Sequence, residues 1–187
     1  MSSGDAFHQR GTALENQFFA KVDEKLLAKL HEQQDVDSLA KSLGISPEIA
    51  KSLLAAGVTT HSAAALRLVP LVAVAWADGR IEPEELQVVV KAAESHGIKA
   101  DQPAGQLLAS WLKVAPTSDL LKTWGEYAAS LVAHMPADQA ANLKSSIIDE
   151  LKSVANAAGG VLGWGAVSDG ESKLMHVVED ALTRKNA

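Results

Sequence analysis

This 187-residue sequence predicts an all-α fold, a bundle of about eight or nine helices that begins with an amphipathic one. Three observations lead there. Thirty-two alanines and 23 leucines load the chain with residues that lose little on entering a helix. Alternating apolar and polar residues are scarce, and the only β-like cluster, Val88-Val89-Val90, sits inside a longer helical pattern. Prolines and glycines fall where helices start and stop. Apolar residues make up 47% and charged residues 21%, a balance that supports a buried core and excludes disorder.

The elements follow in order. Leu14, Phe18, Val22, Leu26 and Leu30 recur every fourth residue, which makes one apolar stripe on a helix with Lys, Glu and Asp on its other faces. Val36, Leu39 and Leu43 suit a short second helix. Ser46-Pro47 then supplies an N-cap and a proline in the first turn, and Gly57 stops that helix. A third unit runs from near His61 to Asp78-Gly79. Its apolar run, Leu68 to Ala77, has roughly half of the ~20 residues that a membrane-spanning helix needs, and it reads as buried core.

Glu82-Pro83-Glu84-Glu85 restarts a helix, with proline in the first turn and acids beside the positive end of the helix dipole. That helix is expected to end near His96-Gly97. Three more are expected at about 103–114, 118–133 and 137–158, with Pro103, Pro116 and Pro136 near their boundaries and Trp111, Trp124 and Tyr127 adding bulk. A glycine-rich turn, Gly159 to Gly165, leads to a last helix that Ser168 and Glu171 start as a capping box. The expected division is an amphipathic helix over 1–35, a helical hairpin over 36–59 and a larger helical domain over 60–187.

Charge and composition narrow the function classes. Seventeen Lys and Arg stand against 23 Asp and Glu, a formal charge of −6, so a phosphate-binding face is not expected. With no cysteine there is no disulfide, thiolate nucleophile or Cys-type zinc site. The polar start, Met1 to Gly11, has no apolar stretch of the signal-peptide kind, and a cytoplasmic location without membrane insertion is expected. Leu39 to Ser46 followed by Ile49 has the shape of a DNA-reading helix-turn-helix. The would-be recognition helix offers only Lys51 as a cation, so a structural hairpin is expected and no nucleic-acid partner. No two histidines are four residues apart, and neither a phosphate loop nor a nucleophile elbow occurs. A non-enzymatic role is expected.

The sharpest local pattern is Ala77-Asp78-Gly79-Arg80-Ile81-Glu82-Pro83-Glu84-Glu85. Its spacing equals the back half of a calcium loop, but the first two side-chain ligand positions hold Val74 and Trp76, and neither binds a hard cation. A helical corner is expected, with Gly79 making the turn and Ile81 in the core. Asp78, Glu82 and Glu85, joined by Asp169 or Glu171, remain candidates for a weaker divalent-cation site. The starts of two helices are also alike: Ile81-x-x-x-Glu85 before Val88, Val89 and Ala92, and Val167-x-x-x-Glu171 before Leu174, Met175 and Val178. A duplicated motif and two ordinary capped helices both explain this.

Ala75-Trp76-Ala77-Asp78-Gly79-Arg80-Ile81 with Glu85 resembles the A-x-A-D-G-x-I-x-x-x-E motif of the tellurite-resistance TerB-like helical family. Gly160 to Leu182 resembles that family's later helix entry, so the likeness covers roughly residues 60–185. It implies an all-helical module tied to stress responses and protein complexes, with a metal held by acids at helix entries. Asp78, Glu85 and Glu171 match that pattern, whereas Trp164 stands where a second Asp78 belongs. The opening, Phe7-x-x-Arg10-x-x-Ala13-Leu14-Glu15-x-x-Phe18 and then Asp23-Glu24, resembles the zeta inhibitor subunit of bacterial rotary ATP synthases. That family plugs a catalytic head with its first helix. Here the spacing to Asp23-Glu24 is about two residues longer and the basic Ala-Arg-Arg-Asn stretch is absent. The expected function is a protein-interaction or stress-response module that binds a divalent cation weakly. The alternative is a regulator that places Leu14, Phe18, Val22 and Leu26 on a protein partner such as the rotary ATP synthase.

Overall fold

A computed structural model describes residues 3–158 and 169–183, with side chains at 21, 23–157 and 169–183. Among the described residues the fold is all-α, eight helices and one 3₁₀ segment with no strand. The helices are α1 (Ser3–Leu43), α2 (Pro47–Ala55), α3 (Val69–Ala75), α4 (Pro83–Ser95), α5 (Pro103–Lys113), α6 (Ser118–Ala133), α7 (Ala137–Ala158) and α8 (Asp169–Thr183).

Local sequence accounts for most boundaries. Ser46 caps α2, its Oγ accepting from the Ile49 N–H at 3.4 Å, and Pro47 follows in the first turn. Pro83 and Pro103 open α4 and α5 in the same way. Gly44, Gly57, Gly79 and Gly97 all have positive φ, which lets the chain turn sharply just beyond a helix.

Two expectations change. The short helix expected around Val36, Leu39 and Leu43 is the end of α1, which runs unbroken from Ser3 to Leu43. No proline lies between Met1 and Gly44, so nothing stops the helix there. The third unit opens as a 3₁₀ turn, Ala63–Leu68, before α3. Pro70 in the first turn of α3 has no N–H to give, and the helix proper begins beside it.

Helix α3 is the axis of the fold. Six of its seven residues are buried, and α4, α6, α7 and α8 pack around it. The surrounding helices each turn one stripe inward: Val89 and Ala93 on α4, Leu120, Trp124 and Ala128 on α6, Ile147, Leu151 and Val154 on α7, Val178 and Leu182 on α8. The Trp76 indole N–H donates to the Trp111 carbonyl at 2.8 Å and ties the end of α3 to α5. Leu39, Ala50 and Leu53, from the hairpin of α1 and α2, belong to the same hydrophobic cluster as Val36 and Leu182. Truncating a fully buried leucine such as Leu53 in such a core costs about 2–5 kcal/mol.

Candidate functional site

The acidic corner forms where α3 ends. The chain turns through Asp78 and Gly79, the latter at φ +82°, and re-enters a helix at Pro83. Glu85 is the third residue of α4, and its Oε2 accepts from the backbone N–H of Glu82 at 2.7 Å. That bond satisfies a donor which the helix start would otherwise leave open. Ile81 packs against the core as expected.

Helix α8 brings the second half of the site. Gly170 lies so close to the corner that a Cβ there would sit 3.3 Å from the Ala77 carbonyl oxygen and 3.6 Å from the Ala77 Cβ. This contact sets Glu171, third residue of α8, beside Glu85, third residue of α4. Both carboxyls are buried, at 5% and 4% exposure. Asp78, Glu82, Glu85 and Glu171 therefore line one cavity of about 380 Å³, with Val74 and Arg80. The four acids are separated in sequence but share one place. Trp164, Ser168 and the glycine-rich turn lie outside the described residues.

The electrostatics of this corner follow from crowding. Burial pushes the Glu85 carboxyl above its ordinary value; the bond from Glu82 opposes this, and the charges of Glu171, Glu82 and Asp78 add to the rise. Arg80 offsets part of the charge by pairing with Glu82 at 2.8 Å. Among the described residues no group of three or more His, Asp or Glu is arranged to hold a metal ion. A full carboxylate cage for a hard cation takes six to eight oxygens. The corner is thus a notch that attracts positive charge, partly filled by the chain's own guanidinium.

The other candidate residues lie on α1. Residues 21 and 23–35 are exposed on all faces, including Leu26 at 55%, Leu27 at 56% and Leu30 at 51%. Leu14, Phe18 and Val22 are on the same helix, and their side chains lie outside the described set. Helix α1 packs mainly on α2, through the end that carries Val36, Leu39 and Ala40.

One cluster has no counterpart in the sequence reading. Arg67 donates from Nε to His96 Nε2 at 2.8 Å and from Nη2 to Ser146 Oγ at 3.0 Å and Glu150 Oε1 at 3.3 Å. His96 Nε2 also lies 3.1 Å from Glu150 Oε1. Ser146 donates to Glu150 at 3.2 Å, and its hydroxyl is therefore directed at a carboxylate and away from the imidazole a serine nucleophile needs. These residues come from the 3₁₀ segment, the end of α4 and the middle of α7, and no spacing in the sequence announces them. No family model, curated protein or solved structure matches the chain.

Proposed function

We propose that this chain is a non-enzymatic helical interaction module, which presents the apolar stripe of α1 to a protein partner. The observation that carries the reading is the row Leu26, Leu27 and Leu30, more than half exposed on a helix whose far end is anchored in the core. A helix laid in a partner's groove uses such i, i+4 anchors. Leu14, Phe18 and Val22 extend the row along the same helix. The likeness of Phe7 to Glu24 to the zeta inhibitor makes the catalytic head of a rotary ATP synthase the first partner to test. The TerB-like corner suggests a stress-response setting for the body.

The test is quantitative co-purification from native lysate with the full-length chain and its L26E/L30E variant. Both leucines face water in the free protein, so the variant should melt within ~2 °C of the original. Burying each half-exposed leucine contributes about 1 kcal/mol, so losing both should weaken capture about tenfold or more. Equal recovery of the same proteins by both chains refutes this reading.

A second reading is a weak divalent cation at the acidic corner. It is favoured by the convergence of Asp78, Glu82, Glu85 and Glu171 on one cavity. A ligand that binds only the folded state must raise its melting temperature. Calcium, magnesium, manganese or zinc at about 1 mM, well above a Kd of ~0.1 mM, should then raise Tm by several degrees, and less in Glu171→Gln. An unchanged Tm with all four ions removes the cation.

A further inference from the structure

A second cavity, of about 290 Å³, opens between the 3₁₀ segment, the end of α4, α6, α7 and α8. Its walls are mostly apolar: Trp124, Ala128, Leu131, Ile147 and Leu182 are among them, and Tyr127, Arg67 and His96 also line it. At the roughly 30 Å³ that a water molecule takes in the liquid, the space suits about ten non-hydrogen atoms. That is the lower end of the range for small-molecule sites.

Two of its polar side chains, Trp124 and Arg67, can only donate. Trp124 is 2% exposed, and its indole N–H has no hydrogen-bond partner among the described residues. Trp124 is one of the residues that line this cavity. The Tyr127 hydroxyl is likewise without a partner among the described residues. Burial pushes it above its ordinary value, which keeps its proton in place at neutral pH. Arg67 spends Nε and Nη2 on His96, Ser146 and Glu150, and no described residue accepts from its Nη1. Its charge is already met by Glu150 at 3.3 Å. An occupant that engages the Trp124 N–H and the Arg67 guanidinium must therefore bring an acceptor, while a negative charge is not demanded.

We propose that this cavity is a binding site for a small apolar molecule bearing a carbonyl or carboxylate oxygen, of about the size of octanoate. The apolar walls take the body, and the Trp124 N–H, the Tyr127 O–H and the open side of Arg67 are the donors available to the oxygen. The site is independent of the α1 stripe and of the acidic corner.

The experiment is a titration of the full chain with octanoate, octanamide and octylamine, followed at the four tryptophan indole resonances by ¹H–¹⁵N NMR. The first two ligands separate an anionic head from a neutral one. The third is a donor-only head on the same chain. Octanoate or octanamide should shift the Trp124 indole saturably, with a Kd below about 1 mM. Tyr127→Phe, which removes one donor and keeps the ring, should weaken binding several-fold. Ala128→Leu, which fills the cavity, should abolish the shift, and Ala63→Leu serves if that variant does not fold. An unmoved Trp124 resonance at about 5 mM of both acceptors would sink the proposal, as would equal binding of octylamine or undiminished binding to the filled cavity.

Discussion

Glu85 is a buried carboxyl among like charges. A carboxyl whose folded-state pKa is raised weakens the fold once it ionises. Stability from this group is therefore greatest below its ordinary value of 4.5, and it falls as pH rises from there through the raised folded value. Glu85→Gln keeps an oxygen to accept the Glu82 N–H and removes the charge beside Glu171, Glu82 and Asp78. The variant should melt at or above the original at pH 7, and the two curves should converge toward pH 4. Thermal melts across that range check this; a variant that melts lower at pH 7 would show that the carboxylate itself holds the corner. The acids of this corner were legible from their spacing as helix-entry residues. Their burial was not, because it depends on Gly170 meeting Ala77, a contact between residues 93 positions apart, as the difference of their numbers gives.

At the scale of helices, proline and glycine punctuation proved the most informative signal. The starts of α2, α4 and α5 at Pro47, Pro83 and Pro103 were all readable, because proline suits a first turn and no later one. Continuity was harder to read. The stripe from Leu14 to Leu30 and the set Val36, Leu39 and Leu43 read as two helices in the sequence, yet one backbone carries both. No motif in the sequence marks the glycine of α5. A Cβ on Gly105 would lie 2.1 Å from the Lys99 carbonyl oxygen and 2.9 Å from the Ala100 Cα, and backbone cannot give way as a side chain can. Gly105→Ala should cost about 2 kcal/mol or more, and at ~2–4 °C per kcal/mol for a chain of this size should lower Tm by at least ~4 °C. Calorimetry decides it: an alanine variant as stable as the original would mean that α5 is free to shift.

For the whole molecule, one core explains both what is anchored and what is not. The apolar cluster runs from Val36 to Leu182 and includes the end of α1, while Leu26, Leu27 and Leu30 continue the same helix beyond it. No helix among the described residues is long and apolar enough to cross a membrane. The all-α class was readable from composition and period. The cavity beside Trp124 was not, since it takes walls from the 3₁₀ segment, the end of α4, α6, α7 and α8, which only packing brings together. Exposed leucines on an anchored helix are the central feature of the proposed function. Site-specific photo-crosslinking in the native lysate tests it, with the reactive residue placed at Leu30 and, as control, at Val114, which is the more exposed of the two. A discrete protein adduct is expected from position 30 and not from position 114. No adduct at position 30, or the same products from both positions, would contradict it.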